Sequence, residues 1–139
     1  MTPEVSQQFS AQSPGLLKHL GFRLSSVEEA TGTTVCEVDL RADLVNPAGM
    51  LQGGVIATLV DVAGGVAAAR ATSSRVVFTS DLTLHYLAAG RIGPVRAVAR
   101  VLRRGRTSVV VEVEVIDTGA DDRLMTVATM TLTVPSATS

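Results

Sequence analysis

Hydrophobic and polar side chains alternate along six segments of the chain, and this period of two is typical of strands that bury one face. The clearest example lies at residues 107–116, where valine alternates with glutamate from residue 111 to residue 115. Glycine, proline, aspartate and arginine separate the segments and predict turns between them. The six predicted strands cover residues 22–30, 33–41, 76–86, 95–102, 107–116 and 124–134.

Two predicted helices complete the pattern. Residues 16–20 form a short apolar segment, for which Ser13 is a candidate cap and Pro14 a first-turn proline. A long helix is predicted at residues 53–70 because its apolar positions recur with helical spacing. The order of helix, two strands, long helix and four strands favours an α+β domain with an antiparallel sheet.

The composition is that of one folded domain. The chain has 139 residues, 46% of them hydrophobic and 18% charged, which excludes a disordered protein and leaves room for a single core. We place the domain at residues 13–135, between a flexible leader at residues 1–12 and a short tail at residues 136–139. A net charge of −1 and an aromatic content of 3% exclude a basic surface with stacking rings for nucleic acid.

The sequence also leads us to expect a cytoplasmic protein. The polar residues 1–12 lack the apolar segment of a secretion signal. The longest apolar stretch, residues 55–69, is too short to span a bilayer and contains Asp61. Cys36 is the single cysteine, so neither an intramolecular disulfide nor a cysteine-rich metal site is expected. Cys36 alternates with Val38 and is interpreted as a core residue, not a nucleophile.

The predicted long helix is unusual because Asp61 is its only charged residue between Gly53 and Ala69. We predict that this helix is buried nearly all round, with another element close to its small residues. A buried, unpaired carboxylate is costly or has a raised pKa. We therefore interpret Asp61 as part of a site where another chain or strand meets the helix; the alternative is that it caps a loop or pairs with an arginine. The apolar side comprises Val55, Leu59, Val62, Ala63 and Val66, and the small side comprises Gly54, Ala57, Thr58, Gly64, Gly65 and Ala68.

Residues 46–61 contain Asn-Pro-Ala-Gly-Met-Leu-Gln-Gly-Gly followed by the first part of the helix up to Asp61. This segment resembles the signature of hotdog-fold acyl-CoA thioesterases of the phenylacetic acid degradation (PaaI-like) type. That signature is an asparagine, a loop glycine, a His-Gly-Gly, and an aspartate eight residues after the first of those two glycines. The resemblance covers residues 46–90. It implies a long antiparallel sheet around one central helix, and two subunits that pair their sheets edge to edge.

The resemblance also implies roles for the site residues. The backbone N–H of Gly53 would polarise the thioester carbonyl with the help of the helix dipole. The neighbouring Gly54 would contact the substrate. Asp61 of the partner subunit would attack the carbonyl or activate a water. Asn46 would position the water or the thioester. Thr79 would orient the water; the alternative is that Thr79 is an ordinary strand residue.

Gln52 departs from the signature, which has histidine at this position. A glutamine amide offers two N–H donors, so a hydrogen bond to substrate or to the loop remains possible. Because a glutamine does not titrate near neutral pH, we do not expect an acid or base role for Gln52. His85 shares a strand face with Asp81 and Thr83, and we assign it no catalytic role.

Four arginines are candidates for binding the phosphates of coenzyme A. Arg103, Arg104 and Arg106 cluster at a predicted turn, and Arg91 follows a strand end. In similar proteins this turn lies near the nucleotide end of coenzyme A, and phosphates suit the donor geometry of arginine. The alternative is that these arginines belong to solvated turns.

The residues and the resemblance together predict an enzyme that hydrolyses an acyl- or aryl-CoA thioester to a carboxylate and free coenzyme A. No metal or redox cofactor is expected, and the assembly is expected to be a dimer or a dimer of dimers. The alternative is a non-catalytic acyl-CoA or acyl-carrier binding module with the same fold. Gln52 favours this alternative, whereas Asp61 favours the enzyme because a binding module gains nothing from a carboxylate beside an acyl chain.

Overall fold

The computed structural model of the chain describes residues 15–28, 30–74 and 76–135. Six strands and the long helix occur where the sequence predicts them. The helices are α1 (Leu16–Leu20) and α2 (Gly53–Thr72), and a 3-10 turn spans Ala42–Leu44. The strands are β1 (Arg23–Glu28), β2 (Thr33–Val38), β3 (Phe78–Tyr86), β4 (Val95–Arg104), β5 (Ser108–Asp117) and β6 (Arg123–Thr133).

Some element ends differ from the prediction. Strand β2 ends at Val38, not at residue 41, because Val38 pairs with Val95, the first residue of β4, and has no partner strand beyond it. Gly15 precedes α1. Ser13 and Pro14, the predicted cap and first-turn proline, lie outside the described residues, as do residues 1–12 and 136–139.

The six strands form one antiparallel sheet in the order β1-β2-β4-β5-β6-β3. The prediction of an α+β domain with an antiparallel sheet is therefore confirmed. One face of the sheet, called the inner face here, packs on α2 and carries the buried Val109, Val111, Val113 and Val115 of β5. The opposite, outer face carries the residues between them. Strand β3 is an edge strand.

Helix α2 lies along the inner face and approaches β6 closely at a glycine. A Cβ at Gly64 would overlap the sulfur of Met130 on β6, so any larger residue there would require the flexible Met130 side chain to move. Leu59, Ala63 and Val66 of the predicted apolar side are buried. The helix is longer than the predicted 53–70. By length and composition alone α2 could cross a membrane, but half of it is buried, as is typical of a core helix.

The prediction that this helix is buried nearly all round is wrong for the single chain. Asp61 and Gly54 are exposed, and a Cβ at Gly54 or Gly65 would meet no atom within 4 Å. Of the predicted small side, Gly64 and Ala68 are buried, Ala57, Thr58 and Gly65 are only partly covered, and Gly54 is exposed. Part of the side that the sequence pattern marks as closely packed is therefore left open within one chain.

Candidate active site

The start of α2 offers backbone donors that the chain itself does not use. The N–H groups of Val55 and Ile56 both donate to the carbonyl of Gln52, at 3.0 and 3.2 Å. Within the described part of the chain, the N–H groups of Gly53 and Gly54 donate no hydrogen bond, no side chain caps the helix, and its first turn has no acidic residue. The positive end of the helix dipole is thus free to meet an anion or a polarised carbonyl.

The loop before α2 is held by Asn46. Its side-chain oxygen accepts hydrogen bonds from the backbone N–H groups of Ala48 (2.9 Å) and Met50 (3.1 Å). The backbone closes the same turn, since the N–H of Gly49 donates to the carbonyl of Asn46 at 2.9 Å with φ +80 at the glycine. Asn46 therefore uses its carbonyl oxygen to shape the loop and keeps its amide N–H groups for other partners.

A cavity of about 320 Å³ opens beside Asn46 and the first residue of α2. Its wall is mostly apolar. Leu51 links two wall segments, because its N–H donates to the carbonyl of Gly90 at 3.0 Å. The wall consists of Asn46, Met50, Leu51, Gly53, Ile56, Tyr86, Leu87, Ala88, Ala89 and Gly90. The cavity therefore offers an apolar pocket with the unused N–H groups of the helix start at its edge.

Tyr86 is a site residue that the sequence analysis missed. Its hydroxyl donates to the carbonyl of Gly53 at 2.8 Å. The ring would lie in ordinary van der Waals contact with a Cβ at Gly53, 3.5 Å away. Tyr86 is the last residue of β3, so this contact fixes the start of α2 to the end of the edge strand. The one available signal was that this is the only tyrosine in the chain.

Asp61 and Thr79, both predicted site residues, lie in contact. The Thr79 hydroxyl donates to the Asp61 carboxylate at 2.6 Å, and both side chains are exposed. Asp61 is eight residues after Gly53, which places it about 12 Å further along the axis of α2. The carboxylate therefore lies outside the cavity of its own chain. Gln52, also predicted, is exposed, and its side chain makes no cap hydrogen bond with the helix.

The predicted arginine cluster is divided by the fold. The predicted turn at residues 103–106 is wrong in part, because β4 continues through Arg104. A bulge at Leu102 shifts the register, so Arg103 pairs with half-buried Val110 on the outer face and Arg104 pairs with buried Val109 on the inner face. Arg106 lies in the following turn.

Arg91 lies at the other end of the sheet from that cluster, next to the cavity wall at Gly90. Arg104 pairs with Val109 on β5, Val109 pairs with Leu132 on β6, and Leu132 pairs with Thr79 on the edge strand β3. Arg104 thus shares its end of the sheet with Thr79 and Asp61, whereas Arg91 shares its end with Gly53. One chain does not bring all four arginines together.

Asp117, at the end of β5, is a second residue that the sequence analysis missed. It is buried, and its carboxylate accepts hydrogen bonds from the backbone N–H groups of Arg91 (2.9 Å), Ile92 (3.1 Å) and Gly93 (2.7 Å). Burial by itself raises the pKa of the Asp117 carboxyl, but these N–H groups and that of Gly119 outweigh burial and hold the pKa below its usual value. Asp117 therefore anchors the loop that continues from the cavity wall.

We expect Asp117→Asn to lower the free energy of unfolding by about 1–3 kcal/mol, because buried backbone donors lose a charged acceptor. Since the folded-state pKa of Asp117 is lowered, its contribution is present above the unfolded-state pKa and is lost as the pH falls through the folded-state pKa. Urea unfolding at neutral pH and at about pH 3 measures both effects, and the variant should lose less stability than the wild type on acidification. The exposed Asp122→Asn is the matched control. Equal losses in Asp117→Asn and wild type would contradict this role.

Cys36 is fully buried, and burial raises the pKa of its thiol to about 12. Its interpretation as a core residue is confirmed. His85 lies on the outer face of β3 and pairs with Val127, away from the cavity wall.

Comparison with known proteins gives one family. Residues 48–130 match the model of the thioesterase superfamily. A 1,4-dihydroxy-2-naphthoyl-CoA hydrolase from Listeria monocytogenes is 27% identical over 121 residues, which cover 86% of this chain and 95% of the relative.

Two solved structures have similar folds. A thioesterase from Haemophilus influenzae superposes with a TM-score of 0.85 at 24% identity, covering 100% of this chain and 94% of the other. A phenylacetic acid degradation-related protein from Ralstonia eutropha superposes with a TM-score of 0.78 at 26% identity, covering 94% of this chain and 99% of the other. The similarity therefore extends over nearly the whole domain in both cases.

Proposed function

Because the chain belongs to the thioesterase superfamily, we propose that it hydrolyses acyl-CoA thioesters at a site shared by two copies of the chain. The hotdog fold, the PaaI-like family and thioester hydrolysis as the class of reaction are confirmed by the family match and by the similar proteins. The coenzyme A ester, the shared site and the roles of its residues are the proposal.

One observation carries the shared site. Thr79 contacts Asp61 near the start of β3, and Tyr86 contacts Gly53 at its end. If a second copy pairs antiparallel along this edge strand about a two-fold axis, the start of one β3 lies beside the end of the other. Asp61 of one copy then approaches Gly53 of its partner, although about 12 Å of helix separates the two residues within one chain.

The open edge supports pairing with a second copy. A long, exposed edge strand with apolar side chains is a template for another strand. Phe78 and Tyr86, at the two ends of β3, are 58% and 54% exposed, and Leu87 just after it is 57% exposed. Pairing there would also cover the open small side of α2. A dimer through β3, alone or within a dimer of dimers, is therefore part of the proposal.

In this arrangement the start of α2 and the carboxylate act on opposite sides of the thioester. The N–H of Gly53 and the helix dipole stabilise the negative charge that develops on the carbonyl oxygen. Asp61 of the partner either takes a proton from the water whose oxygen attacks the carbonyl carbon, or attacks that carbon itself. The Thr79 hydroxyl holds the carboxylate in place. On the first route the carbon–sulfur bond then breaks, and coenzyme A leaves as the thiol with the proton taken from water. On the second route the thiolate leaves as the acyl–Asp61 anhydride forms, and a water then hydrolyses this anhydride, which frees Asp61, gives the carboxylate product and supplies the proton for the thiol.

The cavity beside Gly53 is the proposed place for the acyl or aryl group. Its volume of about 320 Å³ and its apolar wall suit an organic acyl group of moderate size. The carbonyl at the mouth of this cavity would lie within reach of the unused N–H groups. Asn46 stands at the same mouth and can donate its amide N–H groups to the substrate or to the water.

A thiol-release assay over short, medium, long and aryl coenzyme A esters tests the proposal. We expect free coenzyme A to be released, with the fastest ester reporting the acyl group that fits the cavity. If the chain binds these esters, as measured by calorimetry, and releases no thiol from any of them, the non-catalytic binding module is the better description. The exposed Gln52, which stands in place of the family's histidine, is the residue that favours that second function.

Because Arg103 and Arg104 lie on different faces of the sheet, we can predict which of them contacts the phosphates of coenzyme A. Arg104 shares the inner face with Thr79, whereas Arg103 projects from the outer face. We expect Arg104→Ala to raise KM for coenzyme A esters roughly tenfold relative to the matching pantetheine esters, because one charged contact to a phosphate is lost. Arg103→Ala, the matched control, should leave that ratio of KM values unchanged. Equal ratios for both variants and the wild type would place the phosphates elsewhere.

A further inference from the structure

The outer face of β3 carries three evenly spaced polar side chains, Asp81, Thr83 and His85. All three are exposed. Their neighbours on β6 are uncharged, since Asp81 pairs with Thr131 and His85 pairs with Val127. Within residues 15–28, 30–74 and 76–135, neither Asp81 nor His85 has an ion-pair or side-chain hydrogen-bond partner. An acid and a base thus stand at equal distances from Thr83 on an open strand edge.

This spacing matters because two-fold pairing relates the strand to itself. When two identical strands pair antiparallel about a two-fold axis, the residue numbers of any two opposing residues have the same sum along the whole pair. Opposing side chains must also share a face, so the central residue lies opposite its own copy. A pair centred on Thr83 places Asp81 opposite the partner's His85, and does so twice. On the inner face the same register places Leu82 opposite the partner's Leu84.

The neighbouring registers are poorer. Centring on Leu82 places Leu84 opposite the partner's Ser80 and leaves Asp81 opposite a threonine. Centring on Asp81 brings two carboxylates together, which is destabilising for directly opposed residues. Centring on Leu84 places Asp81 opposite the partner's Leu87. Only the register centred on Thr83 pairs a carboxylate with an imidazole on one face and apolar side chains on the other.

We propose that β3 pairs with the β3 of a second copy in the register centred on Thr83, held by two pairs of Asp81 with the partner's His85. The inference rests on the proposed shared site and specifies how that site is aligned. Beyond Asp81, a bulge at Ser80 adds one residue to β3. Tyr86 then lies beside the partner's Ser80 and Thr79, so the Tyr86–Gly53 contact adjoins the partner's Thr79–Asp61 contact. The next register in which opposing side chains still share a face shifts one strand by two residues, about 7 Å. Such a shift would move Gly53 away from the partner's Asp61, and reacting groups must come within about 3.5 Å of one another. Asp81, Thr83 and His85 are therefore positioning residues.

Cysteine cross-linking tests the register directly. Directly opposed residues in an antiparallel pair have Cα atoms about 4.5–5.5 Å apart, which suits a disulfide. Thr83→Cys should therefore form a covalent dimer under mild oxidation, seen on a non-reducing gel. The buried Cys36 does not interfere, and the wild type should stay uncross-linked. Asp81→Cys alone and His85→Cys alone should not cross-link, but a refolded equal mixture of the two should cross-link up to about half of the chains.

A charge exchange tests the ion pairs through a rescue. Asp81→Lys should raise the dimer dissociation constant roughly tenfold, because two attractive cross-strand pairs become repulsive. Adding His85→Asp to the same chain reverses both pairs and should restore the dimer and kcat. A double variant no better than Asp81→Lys alone would overturn the ion pairs.

The outcomes separate this inference from the proposed function. If the wild type is a dimer and Asp81→Cys alone cross-links while Thr83→Cys does not, the register is wrong, and the mixed dimer of Asp61→Ala with Gly53→Pro decides separately whether the site is shared. If gel filtration gives only monomers, the shared site fails together with the register. If Thr83→Cys cross-links but no coenzyme A ester is hydrolysed, the register holds and the proposed reaction fails.

Discussion

Asp61→Asn should lower kcat for thioester hydrolysis by about 10²–10⁴-fold, the usual cost of losing a general base. The amide cannot accept a proton from water and is a poor nucleophile, yet its oxygen can still accept the hydrogen bond from Thr79. The fold should therefore be kept, and the melting temperature should stay level or rise. Thiol release at saturating substrate measures kcat, and thermal unfolding measures the stability.

Asp122→Asn serves here as the matched control, because Asp122 is exposed in the turn before β6 and lies outside the candidate site. It should keep wild-type kcat. If Asp61→Asn retains more than about a tenth of wild-type kcat, the loss in transition-state stabilisation is under about 1.4 kcal/mol, and Asp61 is not the catalytic carboxylate.

The local pattern of hydrophobic and polar residues predicted the strands and helices well, because the residues within each strand alternate according to which of them are buried. The alternation of valine and glutamate in β5 corresponds to a strand in which every second residue is buried. Helix α2 was also predicted from its own residues, with Gly64 as a point of close approach to β6. The exposure of Asp61 could not be predicted in this way. Apolar and small residues occur on a helix wherever it is buried, whether by its own chain or by another. The sequence of the helix alone therefore does not distinguish a side covered by its own sheet from a side covered by a partner.

Contacts between distant segments account for what the sequence analysis missed. Asp117 lies in a strand end and binds a loop that precedes it by 24 to 26 residues, and no local pattern marks such a pair. Tyr86 reaches Gly53 across 33 residues. The bulge at Leu102 shifts the alternation of β4 by one residue, so Arg103 lies on the outer face and Arg104 on the inner face, the reverse of what an unbroken alternation from Val101 predicts.

Two inactive variants mixed in one dimer should restore about a quarter of wild-type activity if the site is shared. We would combine Asp61→Ala, which removes the carboxylate, with Gly53→Pro, which removes the backbone donor. Proline is tolerated at the first position of a helix, and the N–H of Gly53 donates no hydrogen bond within the described residues, so this variant should fold. In a mixed dimer one site collects both defects and the other collects neither. Random pairing makes half of the dimers mixed, so about a quarter of all sites are intact.

Gly53→Ala is the matched control for the donor, because it adds a side-chain carbon in ordinary contact with Tyr86 and keeps the N–H. It should retain most of the wild-type activity, whereas Gly53→Pro alone should be inactive. Circular dichroism and gel filtration of each variant establish folding and dimerisation before mixing. If both inactive variants fold, dimerise and exchange subunits, yet their mixture stays inactive, Asp61 and Gly53 act within one chain. Within one chain, about 12 Å of helix separates Gly53 from Asp61. The substrate itself would then have to bridge that distance.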